Sequence, residues 1–188
     1  MKRLITIGSV LLFAAFSASL SAAQGRGGSS PVMDALRQIE ERSAVRINQA
    51  AKEMPPDKYS YKPTEQQMSF GDLVAHIAEH NFALCGKIGG IAPPGTMRPQ
   101  GTAPKDVLVA ELGRSFQFCK STFAPLDDSK LGEELDLGSR KVSRAAGVLG
   151  MSGDWADHYG QAAMYLRLNG LLPPTARKEP EAKIKPVK

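Results

Sequence analysis

The sequence predicts an all-α protein, a four-helix bundle with long connectors. Three observations predict this fold. Apolar residues recur at the three-to-four-residue spacing of one helix face in four separate segments. Residue pairs typical of helix ends, such as Ser-Pro, Gly-Gly and Asn-Gly, bound these segments. The connectors between these segments show neither the turn sequences nor the alternating apolar pattern of paired strands, so we expect no β-hairpin.

The N-terminal residues are typical of a secretory signal peptide. Lys2 and Arg3 precede an apolar run, and Ser21 and Ala23 suit the −3 and −1 positions of a cleavage site. The run is shorter than the roughly 20 residues of a spanning helix, which disfavours a retained membrane anchor. The expected organisation is a signal peptide over residues 1–23, a flexible linker over 24–30, the bundle over 31–174 and a disordered basic tail over 175–188.

The first two helices are predicted from their ends and their apolar faces. Ser30 and Pro31 suit the N-cap and first position of a helix that a Pro-Pro pair ends at about residue 54. Ser69 and Asp72 form a capping box for a second helix over about residues 70–88, which Gly-Gly ends. The apolar face of the second helix consists of Leu73, His76, Ile77, His80 and Leu84.

The third and fourth helices follow two long connectors. The third is predicted over about residues 104–123, and the last over roughly 141–169, where Asn-Gly and a Pro-Pro pair end it. Each glycine in the first half of the last helix weakens the prediction by about 1 kcal/mol relative to alanine. These glycines are Gly147, Gly150 and Gly153.

Cys85 and Cys119 are the two cysteines of the chain. In an exported protein they would enter an oxidising compartment, where an even number favours a disulfide. The bridge would close a loop of about 35 residues and stabilise the protein by roughly 3–4 kcal/mol in the chain-entropy model. Two buried free thiols are the alternative.

The distribution of charge argues against a nucleic-acid partner. The formal net charge is +5, but Lys2 and Arg3 belong to the expected signal peptide and residues 177–188 hold an excess of cations. The residues between carry equal numbers of cations and anions. A nucleic-acid-binding domain should instead carry a basic patch.

Three histidines and one acid are expected to meet inside the bundle. His76 and His80 lie on the apolar face of the second helix, and the segment DWADHYGQ places Asp154 and His158 one turn apart on the last. Bundle cores hold metals between facing helices in this way. Imidazole and carboxylate suit zinc and also iron(II), so the spacing does not identify the metal. Structural core histidines are the alternative.

Two segments resemble the DinB-like superfamily of four-helix-bundle metalloenzymes. They are FGDLVAHIAEHNFALC, residues 70–85, and HYGQ…YLRLNGLLPP, residues 158–174. The resemblance covers most of the mature chain. It implies a divalent metal held by one histidine of the second helix and by an HxxxH pair on the last helix.

The residues at the family's ligand positions are His76, Asp154 and His158. His76 matches the first ligand and His158 the second member of the pair, whereas Asp154 replaces the pair's first histidine. Aspartate is a competent ligand at that position, although a decayed site is an open alternative. His80 has no counterpart in the family pattern and is an additional candidate ligand.

Four other residues are candidates for supporting roles. Gln161 shares a face with His158 and is expected to interact with the metal ligands. Tyr165, one turn further on, either contacts a ligand or packs in the core. Glu79 and Asp157 are the nearest candidates for acid–base chemistry, with a solvated surface position as the alternative.

The resemblance implies a metal-dependent enzyme using zinc, nickel, manganese or iron. It is either a thiol transferase, related to those using bacillithiol or mycothiol, or a hydrolase, which is easier to place in the periplasm or outside the cell. The alternative is a non-catalytic metal- or ligand-binding bundle with a degenerate site. The expected partner is a small molecule, with a homodimer left open; nucleic acid and, after signal cleavage, the membrane are not expected.

Overall fold

The computed structural model describes residues 30–95 and 99–177, and they form a predominantly helical bundle. The predicted signal peptide and nearly all of the predicted linker and tail lie outside these ranges. Within them, no helix is both long and apolar enough to cross a membrane. The elements are α1 Pro31–Glu53, α2 Phe70–His80, a π-helical turn Asn81–Cys85, α3 Gly86–Gly89, α4 Lys105–Phe123, β1 Glu134–Asp136, β2 Lys141–Ser143 and α5 Arg144–Leu168.

The all-α four-helix prediction is confirmed, with α2, the π-helical turn and α3 forming one continuous second helix. α1 packs against α4 and α5, and α2 packs against α4 and α5. The predicted capping box of Ser69 and Asp72 is present, and Gly90, with a φ of 68°, ends α3 as expected. Trp155, Phe70 and Phe123 are among the largest fully buried side chains of the core.

The N-terminus of α1 differs from the prediction. Ser30 occupies the N-cap position, but its side chain does not cap the helix. Instead, the carboxylate of Asp128 accepts the backbone N–H groups of Val32 at 3.0 Å and Met33 at 2.9 Å. A remote acid therefore replaces the local serine cap, because the connector after α4 folds back onto the start of α1.

The expectation of no β-hairpin was wrong. β1 and β2 pair antiparallel, with Leu135 opposite Val142, and α5 begins only at Arg144. Three-residue strands joined by a four-residue turn give too little alternation to be recognised. Gly147 allows the hairpin to approach α5, because a Cβ there would lie 2.9 Å from Leu135 Cδ1.

The predicted disulfide between Cys85 and Cys119 is present, with the two Cα atoms 5.2 Å apart. It ties the end of the π-helical turn to α4. At the start of the turn, Asn81 accepts a hydrogen bond from Trp155 Nε1 at 2.7 Å and donates one to Ser115 Oγ at 2.9 Å. The turn is therefore fixed from two sides, immediately after His80.

Candidate functional site

The structure brings the three histidine rings together at the interface of α2 and α5. The ring centroids of His76 and His80 are 3.9 Å apart, and those of His76 and His158 are 5.1 Å apart. Asp154 Oδ1 lies 3.6 Å from His80 Nδ1, and Asp154 Oδ2 lies 3.3 Å from His158 Nδ1. The i, i+4 spacing on each helix puts each pair on one face, and the packing of the helices turns the faces together.

The cluster lies at the boundary between the core and the solvent. The side chain of His158 is 6% exposed, that of Asp154 23% and that of His80 39%. The Nδ1 atoms of His80 and His158 are buried and, within the described part of the chain, have no hydrogen-bond partner of good geometry. Both atoms face Asp154, so the carboxylate lies between two imidazoles without fully satisfying either.

The electrostatics of the cluster shift the pKa values of His158 and His76 in opposite directions. Burial disfavours a charged His158, but attraction to Asp154, with a smaller contribution from Asp157, outweighs it and raises the His158 pKa above its ordinary value. Burial also opposes ionisation of Asp154, yet His158 and His80 together lower the Asp154 pKa. Burial, followed by the neighbouring imidazoles, lowers the pKa of His76. The cluster therefore favours an ion pair between Asp154 and His158 beside a neutral His76.

The donor set suits a divalent cation, but its arrangement is not that of a metal site. Imidazole nitrogens and a carboxylate are ordinary ligands for zinc and similar ions, and two of the nitrogens lack a partner. Among residues 30–95 and 99–177, however, no group of three or more His, Cys, Asp or Glu side chains is placed so that it could hold a metal. Each oxygen of Asp154 faces a different imidazole, so the donors pair with one another.

Two cavities border the cluster on different sides. One, of about 530 Å³, is lined in part by His76, Glu79 and Asp72. The other, of about 210 Å³, is mainly apolar and reaches Asp154. A larger cavity of about 880 Å³ lies beside Tyr59; it shares Asp72 with the cavity beside His76, but no histidine lines it. We place the candidate site at the cluster because that is where the titratable groups converge.

The supporting residues predicted from the sequence have mixed outcomes. Gln161 is exposed and donates to Asp157 at 2.8 Å, so the described contacts give it no link to His158. Tyr165 packs in the core, where its hydroxyl donates to the Met68 carbonyl at 2.6 Å. Of the two acid–base candidates, Glu79 lines the cavity beside His76, whereas Asp157 is exposed.

Sequence reasoning missed Asn81, which links α2 to α5 and α4 directly after His80. Its side chain is 0% exposed, and its amide joins Trp155 and Ser115. The sequence offered one indication of this link: Asn81 is a polar residue beside an apolar stretch, and the single tryptophan, Trp155, could donate to it. Buried amides need partners, and tryptophan N–H is a common donor.

Fold and site together define a class of protein: helical bundles with a cluster of histidine and acid side chains between the second and last helices. The sequence profile described as the DinB superfamily matches residues 41–162. An uncharacterised protein of Bacillus subtilis, YjoA, is 33% identical over 132 residues, which span 65% of this chain and 81% of YjoA. The chain therefore belongs to the DinB superfamily.

Solved structures agree with this fold. A DinB-like crystal structure from Bacillus subtilis, also YjoA, has a TM-score of 0.62 at 22% identity and covers 77% of this chain and 99% of its own. A DinB-like protein from Bacillus cereus has a TM-score of 0.65 at 13% identity, with coverages of 75% and 95%. At these identities the similarity extends to the fold alone.

Proposed function

We propose that this DinB-superfamily protein is an exported, metal-dependent hydrolase of small molecules. The observation that carries the proposal is the convergence of every histidine in the chain with Asp154 at one place on the α2–α5 interface. Chance placement of three histidines on a bundle of this size would distribute them over separate faces. Their grouping around an acid favours a shared chemical task.

The residues that would hold the cation are His76, Asp154 and His158, with His80 as an additional ligand. A bound divalent cation supplies a Lewis acid that activates water at neutral pH. To bind the cation, His158 would have to lose its proton, and the Asp154 carboxylate would have to give up its contacts with the imidazoles of His80 and His158. Affinity should therefore increase as the pH rises through the His158 pKa. Glu79, on the cavity beside His76, is the candidate for accepting a proton from the attacking water.

The disulfide favours hydrolysis over thiol transfer. The Cys85–Cys119 bridge is typical of proteins that mature outside the reducing cytosol, and the signal-peptide prediction agrees with that location. The low-molecular-weight thiols that a transferase consumes belong to the cytosol. We therefore propose that the protein acts in the periplasm or outside the cell, with no nucleic acid among its partners.

Metal analysis of protein purified without an affinity tag tests the proposal. One divalent ion per chain, or saturable binding of zinc, nickel, manganese or iron(II) by calorimetry, is expected. His158→Ala should abolish binding, and Asp154→His should strengthen it by restoring the family's ligand pair. Asp157→Ala is the matched control, because this exposed acid is next to His158 in the chain and its carboxylate accepts a hydrogen bond from Gln161; it should change the metal affinity only slightly, through its small effect on the His158 pKa. Equal affinity in the wild type, His158→Ala and Asp154→His would refute the site.

A non-catalytic binding bundle is the second candidate function. The observation that favours it is the pairing of Asp154 with two imidazoles, in place of three donors directed at one point. In that case Asp154→His alone would bind metal, and the wild type would gain no thermal stability from any of the four ions.

A further inference from the structure

A mainly apolar cavity of about 210 Å³ lies against the Asp154 side of the histidine cluster. It is enclosed by the end of the second helix, the β-hairpin and the first half of α5. None of the chemistry discussed so far uses it. Its apolar lining includes Leu84, Ile88, Leu137, Val142 and Met151. Two charged residues also line it, Arg140 from the hairpin and Asp154.

The cavity follows one face of α5 directly to the candidate site. Gly147, Gly150, Met151 and Asp154 all line it and have the i, i+3, i+4, i+7 spacing of a single helix face. His158 continues that face by one more turn. A Cβ on Gly150 would meet nothing within 4 Å, so the space beside this residue is free.

The end of the cavity at Asp154 is polar and incompletely paired. Asp154 Oδ2 lies 3.3 Å from His158 Nδ1, and this nitrogen is buried, on a residue that is 5% exposed, with no hydrogen-bond partner among the described residues. An apolar body with a few polar groups at one end is the usual composition of a small-molecule site. Since an engineered apolar cavity of about 150 Å³ in another protein binds benzene, about 210 Å³ suffices for roughly six carbon atoms.

We infer that this cavity binds an aliphatic or phenyl group of the substrate and directs the polar group attached to it towards Asp154 and His158. The inference rests on the proposed function and names the substrate class: small molecules in which an apolar group of about six carbons is joined to the bond that reacts. Charged metabolites without such a group would leave the cavity unfilled.

Binding of 1-alkanols from butanol to octanol, followed by NMR titration of the isotope-labelled protein, tests the inference without requiring activity. The hydroxyl can donate to Asp154 while the chain enters the cavity. Each added methylene should tighten binding by about fourfold up to roughly hexanol, and longer chains should gain nothing. The largest shifts should be at the amides of Gly150 and Asp154.

Gly150→Leu should weaken hexanol binding at least about tenfold by filling the cavity. Gly153→Leu is the matched control, since this glycine also lies on α5 with nothing within 4 Å of an added Cβ, but does not line the cavity. The two variants gain the same helix propensity. Affinity independent of chain length, or unchanged in Gly150→Leu, would overturn the inference.

Metal titration of the same proteins separates the two proposals. If the wild type binds hexanol but no metal, and Gly150→Leu weakens hexanol binding, the metal-dependent function is refuted and the proposed role of the cavity is supported. Metal binding without chain-length-dependent alcohol binding would refute the cavity and support the metal site. Gly150→Leu should retain the wild-type metal affinity.

Discussion

Reduction of the Cys85–Cys119 bridge should lower the stability of the protein by an amount that follows from its position in the chain. The two cysteines are 34 residues apart. For a closed loop of about 35 residues, the chain-entropy relation gives about 12.7 cal/mol/K, or about 3.8 kcal/mol at 25 °C. In a protein of this size, about 1 kcal/mol corresponds to roughly 2–4 °C, so Tm should fall by roughly 8–15 °C. Both side chains are 0% exposed, so reduction alters the core and the unfolded chain but not the surface.

Urea unfolding of the oxidised protein and of protein refolded with a reductant measures this difference. The fluorescence of Trp155, the single tryptophan, reports on the core beside the π-helical turn. The double variant Cys85→Ala/Cys119→Ala is the control, because a reductant should leave its stability unchanged. A difference below about 1 kcal/mol between the two forms of the wild type would refute the loop-entropy reasoning.

The remaining predictions concern the titratable groups Glu40, Asp154 and His158. Glu40 is 2% exposed and burial raises its pKa to about 7; stability should therefore fall as the pH rises from 4.5 through 7. By urea unfolding, the free energy of unfolding of Glu40→Gln should exceed that of the wild type by roughly 3 kcal/mol at pH 8 and match it near pH 4. Glu41→Gln removes an exposed charge that contributes to the raised Glu40 pKa, and should show a much smaller dependence on pH. A pH-independent effect of Glu40→Gln would contradict this cause. Asp154→Asn should lower the pKa of His158 in an NMR titration of the three imidazoles, and an unchanged value would disprove the ion pair. In the wild type, the ion pair of Asp154 and His158 should contribute to the free energy of unfolding only between the two pKa values. This contribution should be lost when the pH rises through the His158 pKa, and also when the pH falls through the Asp154 pKa.

Local rules account for most of the helical architecture. The capping box of Ser69 and Asp72, the Gly-Gly end of α3 and the face of α4 are encoded by residues within one or two turns of each other, so the sequence alone indicates them. The Asp128 cap on α1 could not be predicted, because it joins residues more than 90 positions apart. The short hairpin was missed for a different reason, because strands of three residues are too short for a recognisable alternation of apolar and polar residues.

The candidate site was predictable as a group of residues but not as a geometry. The four-residue spacing places His76 and His80 on one face of the second helix, and Asp154 and His158 on one face of the last. The chain has three histidines, so few combinations of ligands had to be considered. How the carboxylate divides its two oxygens between imidazoles depends on the depth and rotation of α2 against α5. Those quantities are set by the packing of the whole core, which no local pattern contains.

The π-helical turn at Asn81–Cys85 accommodates one residue more than an α-helical turn would. Five π-helical steps of roughly 80° and four α-helical steps of about 100° cover almost the same rotation. Deleting one residue from this segment would therefore restore regular α-helical winding while His80 and Cys85 keep nearly the same relative orientation. Related chains with and without the extra residue would thus differ in the side chains that the turn itself presents, and would keep the flanking segments aligned.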